Sequence, residues 1–312
     1  LAAWTTYLKF NYPQEFFIAL LEMAKFEPTP HEEIRKVSHE LHHFSIELLN
    51  PDLSKSKMGF KKEGKNIRFG LNSIKGISEK SLEALESFID SESSNKYDIF
   101  LSAKQAGLNI GILSSLIQAG TLSGYDKKRS VLVLEAQTFN LLTDREKRNV
   151  IALGEKFNYD VLKTISSAVK DELVGDDGKR LIPERRFETI KKKYGPYKEI
   201  YEKNKKYEDF ANWFYENKLL GYSYSSELKD VFKSSNSDLL GSQDFNSLTL
   251  NHSGRFIGVI EDSVKRTSRN GNQYVKMTVF DEKGTFDAMI SDNARYTKLQ
   301  DYYERGGKTP SK

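Results

Sequence analysis

The chain has 312 residues, 38% hydrophobic and 29% charged, with a formal net charge of +4 and no cysteine. That length allows two or three compact domains, while the absence of any long apolar run, signal-peptide pattern or thiol excludes a membrane helix, disulfides and thiolate metal sites. A cysteine-free chain is compatible with the reducing cytoplasm, and so mild a charge means that any nucleic-acid footprint must come from local clusters.

The opening LAAWTTYLKFNYPQEFFIALLEMA starts at Leu1, already inside an amphipathic helical pattern, and reads as the tail of something longer. Residues 1–50 are predicted as helices: one through Tyr7, a break at Pro13, a second carrying Phe16, Phe17, Leu20 and Leu21, and a third after Pro28 and Pro30. The third contains HELHH, which matches H-E-x-x-H, where two histidines one turn apart hold zinc and the glutamate activates water. Ile34, Val37, Leu41 and Phe44 define the buried stripe of that helix, which places His39 and His43 on roughly the opposite, solvated side. None of His31, His42, His252 or Glu63 stands at a recognised third-ligand spacing, so a surface helix face is expected rather than a zinc site.

FKKEGKNIRFGL then reads as a small β hairpin. Over residues 51–125 the pattern becomes short helix, glycine turn, short helix, twice: NSIKGISEKSLEALESFI and FLSAKQAGLNIGILSSLIQAGTLSGY. This is the layout of a tandem helix-hairpin-helix module. A glycine permits a tight bend, and the helix that follows begins with unpaired N–H groups that can grip a phosphate without reading a base. Lys75, Gly76, Ile77, Ser78 and Lys80 in the first copy, with Gly107 and Asn109 in the second, are the candidate duplex contacts. The bland alternative is a pair of αα-hairpins that merely pack.

Residues 126–245 are predicted as a helical connector, with SVLVLEAQTFNLL as a buried helix and a loop at residues 175–178. The span 179–206 holds eleven Lys or Arg against four Glu, with Phe187, Tyr194, Tyr197 and Tyr201 interleaved. Such a stretch can track a nucleic-acid backbone or be an exposed helix with inward aromatics. From residue 246 the period alternates: GRFIGVIEDSVKRT, QYVKMTVFDEK and GTFDAMI are three strands joined by turns at Asn270-Gly271 and Glu282-Lys283-Gly284, and DNARYTKLQDYY follows as a helix. Three meandering strands and a helix match the front of an OB-fold barrel. Lys265, Arg266 and Arg269, placed in the first loop, and Tyr274 on the second strand would offer charge and a stacking face to a single strand.

Several of these stretches together resemble bacterial DNA polymerase III alpha subunits, the family C replicative polymerases, over their C-terminal portion. TTYLKFNYPQEFFIALL is similar to the end of the fingers, IRFGLNSIKGIS and LIQAGTLSGY to the tandem hairpins, NKLLGYSYSSEL to the segment before the OB domain, and GVIEDSVKRTSRNGNQYVKMTVFDEKGTFDAMIS to the OB strands. The resemblance implies a mainly α chain with a small β part: the end of the fingers at 1–50, hairpins at 51–125, a helical connector at 126–245 and a partial OB barrel at 246–312. It implies double- and single-stranded DNA and the rest of the polymerase as partners, and a Mg2+-dependent palm lying before Leu1, so that this portion alone would be inactive. Ser78 stands where the family has a second glycine, which weakens the expected phosphate contact there. Gln137, at the head of Gln-Thr-Phe-Asn-Leu-Leu, is the one candidate for a sliding-clamp contact, and the Lys-, Asn-, Ser- and Tyr-rich composition is compatible with a phage source. Two rival readings stand beside this one, a free-standing DNA-binding accessory protein and, more remotely, an HExxH zinc hydrolase.

Overall fold

Proline sets where the early helices begin. In the computed structural model, which describes residues 2–91, 93–125, 128–175, 177–233, 238–249 and 253–291, α1 (Ala2–Asn11) is followed by α2 (Pro13–Ala24) and α3 (Pro30–His42), the latter two with proline in their first turn. The missing N–H is no loss there, because the first amides of a helix have no intrahelical partner. The α2 helix buries Phe17, Leu21 and Ala24, and α3 buries Ile34, Val37 and Leu41 against them. Phe44 closes the stripe by packing edge-on to Phe17 at 5.1 Å.

The next segment contains β1 (Leu48–Leu49), β2 (Lys61–Glu63) and β3 (Asn66–Arg68). The β2–β3 pair is antiparallel, as the sequence predicts, and β1 adds to β3 in parallel. A two-residue strand is too short to leave a periodic signal, so β1 was not legible.

The hairpin region follows as a 3-10 turn (Leu71–Ser73), a bend at Gly76, a second 3-10 turn (Glu79–Ser81) and α4 (Leu82–Ile89), then α5 (Lys96–Gln105), a bend at Gly107 and α6 (Ile110–Gln118). Only the second copy has a full helix on each side of its bend. The first expected helix of the first copy is a single 3-10 turn, because the chain has just left β3 and passes hard against another backbone. A Cβ on Gly70 would stand 2.5 Å from the Gly59 carbonyl carbon.

Five more helices complete the first unit: α7 (Arg129–Asn140), α8 (Asp144–Ala152), α9 (Val161–Lys170), α10 (Glu184–Asn204) and α11 (Glu208–Leu220). One continuous core runs from Phe17 to Tyr222, and residues 1–224 form one compact unit. The boundaries expected at 50/51 and 125/126 are therefore not breaks in packing: α11 lies against α3, α6 and α7. Two buried ionic contacts cross this core. Lys96 Nζ donates to Glu135 Oε2 at 2.5 Å while the Val161 amide donates to Glu135 Oε1 at 3.1 Å; burial holds the Glu135 carboxyl up at about 7 despite the Lys96 charge. Arg129 Nη1 donates to Glu216 Oε1 at 2.7 Å.

Residues 225–312 form the second unit. It contains α12 (Leu228–Val231), β4 (Leu239–Leu240) paired in parallel with β5 (Arg255–Phe256), and an antiparallel meander of β6 (Val259–Thr267), β7 (Gln273–Phe280) and β8 (Thr285–Ile290). β7 and β8 fall where alternation places them, while the expected first strand over 254–267 is split, Arg255–Phe256 pairing with β4 and only Val259–Thr267 joining the meander. The unit begins about twenty residues before the predicted boundary at 246, because Leu228 and Ser242 are tied to the β7–β8 turn. The Leu228 amide donates to Glu282 Oε2 at 3.1 Å, and Ser242 donates to both oxygens of the buried Asp281 carboxylate. The helix predicted over residues 292–303 lies outside the described residues.

Glu216 is fully buried and Arg129 nearly so. Replacing Glu216 by Gln leaves the guanidinium buried without its counter-charge, and a loss of about 3–5 kcal/mol is expected in urea unfolding of the chain.

Candidate nucleic-acid interface

Both hairpins repeat one local pattern, a glycine, an apolar residue and a polar helix cap. In the first, Gly76 takes φ +97° and Ser78 is the cap; in the second, Gly107 takes φ +77° and Asn109 is the cap. Left-handed φ is what glycine tolerates without Cβ strain. Space is not the constraint, since a Cβ on Gly107 would meet nothing within 4 Å and one on Gly76 only Ser115 Oγ at 3.7 Å. The apolar residue between points inward: Leu108 is buried and Ile77 is half-buried against the core. Gly76, Gly107 and Asn109 are exposed, as are Lys75, Ser78 and Lys80.

The backbone amides of the bends are largely used inside the protein, which narrows the sequence expectation. The Gly107 amide donates to Lys104 O at 3.0 Å and the Leu108 amide to Ala103 O at 2.8 Å, closing α5 in the manner of a Schellman cap. Lys75 donates its amide to Leu219 O at 3.0 Å. The Ser78 amide donates to Ser81 Oγ at 3.1 Å, and the Gly111 amide donates to Asn109 Oδ1 at 2.7 Å. Among the described residues no partner takes the amides of Gly76, Asn109 or Ile110.

The hairpins are held from behind by residues that no motif announces. Leu219 O, at the end of α11, takes the Lys75 amide and also the His31 ring Nε2 at 3.0 Å, so Nε2 carries the proton. Burial pushes His31 below its usual value, keeping the ring neutral. Arg129 reaches Gln118 O at the end of α6 as well as Glu216, and Tyr224 donates its hydroxyl to Ala119 O at 3.0 Å. Polar residues at helical spacing gave no signal of this in the sequence.

The basic stretch 179–206 is mostly α10. Ile190 and Tyr194 are buried, Phe187 packs on the core, and Tyr197 is exposed beside Lys198. Lys191, Lys203 and Lys205 each pair with a glutamate one turn away. Phe187 and Tyr194, two of its four aromatics, therefore serve packing.

In the second unit Lys265 and Arg266 lie on β6, with only Arg269 in the turn, because β6 extends to Thr267. Arg266 stands opposite Tyr274 in the β6–β7 register, and Lys265 opposite the buried Val275. Opposite residues share a sheet face, so Arg266 and Tyr274 lie together with exposed Val264 and Met289, while Lys265 lies on the other face. Lys265, Arg266 and Arg269 are exposed and Tyr274 is half-buried.

Around HELHH, His39 is half-buried and His43 exposed, and both line an open groove between α2 and α3 with Leu20, Met23 and Val37. His39 is thus less solvated than the helical stripe implied. Glu40 forms an ion pair with Lys9, and among the described residues no cluster of three His, Cys, Asp or Glu side chains could hold a metal. Neither a zinc site nor the Mg2+ site of a palm fits the residues present. Gln137 is exposed on α7, but Phe139 and Leu142 beside it are core residues, so this segment does not offer its apolar side chains to a partner. Among the described residues no helix is long and apolar enough to cross a membrane.

Comparison with known proteins agrees with the hairpin geometry: a family described as "Helix-hairpin-helix motif" matches residues 45–132. The chain is 26% identical to the DNA polymerase III subunit alpha of Campylobacter jejuni over 296 residues, 93% of this chain and 22% of that protein. This chain is a homologue of part of the DNA polymerase III alpha subunit. The alpha subunit of Aquifex aeolicus is 33% identical over 138 residues, 42% of this chain and 11% of its own length, and that of Thermus aquaticus 28% over 136 residues. The chain spans about a fifth or less of the length of these alpha subunits.

Asn109 holds the second bend to its helix through one hydrogen bond. Asn109→Ala removes that cap, and about 1 kcal/mol of stability should be lost in urea unfolding, with the far-ultraviolet spectrum unchanged.

Proposed function

We propose that this chain is the DNA-holding portion of a replicative DNA polymerase, in which the two hairpins grip duplex DNA by its backbone and the β6–β8 strands bind the single-stranded template. The carrying observation is the repeated bend: Gly76 and Gly107 both exposed, both at positive φ, each followed by a capped helix start. Unsatisfied amides at such a start attract phosphate oxygens and carry no sequence information. Lys75 and Lys80 add charge beside the first bend, whose Ser78 amide is already engaged. In the second unit, Arg266 and Tyr274 on one face, with Arg269 in the adjoining turn, supply charge and a ring for stacking; Lys265 adds charge from the opposite face. The names of the relatives support placing this grip in DNA synthesis.

The polymerase chemistry itself belongs to acids holding two metal ions, and the described residues offer no such cluster. Primer extension with the 312-residue chain is expected to yield no product; synthesis dependent on divalent metal would refute this assignment.

Binding should fall steeply with salt and depend little on sequence. In fluorescence anisotropy with a labelled duplex, Gly107→Val and Gly76→Val should each weaken affinity about tenfold, because a β-branched residue resists left-handed φ. Replacing the distant exposed Lys163 by Gln should change it less than about twofold. Equal effects from all three substitutions would remove the hairpins from the DNA contact.

A further inference from the structure

Lys147 on α8 is 3% exposed. A lysine that far inside a protein normally meets a carboxylate, yet among the described residues it makes no ion pair. Its ammonium lies 5.6 Å from the centroid of the Phe139 ring, and its charged neighbours are a second cation, Lys104, and, more weakly, Asp144. Asp144, the carboxylate in that region, is spent on Lys104. Burial first, and then Lys104, depress the Lys147 ammonium to about 8. Asp144 also attracts Lys147 across space, yet two lysines against one acid leave the cluster with one net positive charge.

The place where this happens matters. Lys104, Asn140 and Lys147 are the three polar residues lining a cavity of about 30 Å³ whose other seven lining residues are apolar, among them Leu108 and Ile110 on either side of Asn109 in the second bend. Lys104 also supplies the carbonyl that accepts from the Gly107 amide. The volume is that of about one water molecule. A base or a sugar does not fit, but a single oxygen does. Lysine ammonium groups and an amide NH2 are donors, so the oxygen must be an acceptor and, given the uncompensated charge, an anionic one.

We propose that the second hairpin carries a phosphate notch, in which Lys104, Asn140 and Lys147 together receive one non-bridging oxygen of a phosphate group of the DNA backbone. This rests on the hairpin reading for the source of the phosphate, although the notch is defined by its own residues. It would place a charge behind the bend whose Asn109 and Ile110 amides have no partner among the described residues.

Two measurements on the full 312-residue chain test it. Thermal unfolding in inorganic phosphate against chloride at equal ionic strength should show a midpoint raised by about 2 °C or more, and Lys147→Met should abolish that rise. Asp144→Asn, which releases Lys104 from its acid, should enlarge it. Were Lys147→Met not to fold, Lys104→Gln replaces it, with a diminished rise expected. In duplex titrations, Lys147→Met should reduce the slope of log K against log salt by about one. A water-filled cavity would give no phosphate-specific rise in the wild-type chain, which overturns the notch. A rise lost in Lys147→Met together with an unchanged duplex slope overturns the DNA assignment. Should the wild-type chain not bind duplex at all, the hairpin reading fails, while the inorganic-phosphate arm still decides the notch.

Discussion

The C-terminal turn of α11 is where the first unit is tied together. Glu216 Oε1 holds Arg129, and its other oxygen accepts from Ser223 Oγ at 2.8 Å and the Tyr224 amide at 2.9 Å. Arg129 passes the connection to Gln118 O and to the Tyr224 hydroxyl, and Tyr224 to Ala119 O. Three residues later Leu219 O receives the first bend through the Lys75 amide, and Gly221 O receives Arg35 from α3. A buried ion pair contributes little net stability against a well-packed apolar pair, but it tolerates few arrangements. Its effect here is on register: the end of α6 and the bend before α4 are both fixed to one short helix end.

That constraint explains why the hairpin module does not stand apart. A bend that grips a phosphate must be held to within fractions of an ångström by elements that do not move with it. In the second hairpin the flanking helices α5 and α6 pack on α7, and in the first the missing initial helix is replaced by the hydrogen bond from Lys75 to Leu219. The two hairpins therefore reach similar exposed bends by different support. The first relies on a distant helix end, and the second on its own pair of helices.

Charge is distributed with the same economy. Lys191 and Lys203 on α10, and Lys205 just after it, pair with glutamates one turn away, whereas Lys75 and Lys80 are exposed beside a bend and Lys147 sits behind one. The modest overall charge hides this arrangement. Separation of paired from unpaired cations, rather than their number, is what would give a backbone-binding surface its direction.

Local residue patterns were enough to define the elements and the bends. Prolines at 13 and 30 set helix starts, the period of Ile34, Val37 and Leu41 fixed the buried face of α3, and alternation with Asn270-Gly271 fixed β6 and β7. Gly76 and Gly107 were readable because positive φ is a local demand that only a few residue types meet. Tertiary structure alone decided how these pieces share a core, since Glu216, Arg129, His31 and Lys147 act through partners tens to well over a hundred residues away and leave no periodic trace. It also decided where the compact units divide, because a boundary is set by which side chains and turns are tied together, as Asp281 and Glu282 tie Ser242 and Leu228 to the sheet, and not by where composition changes.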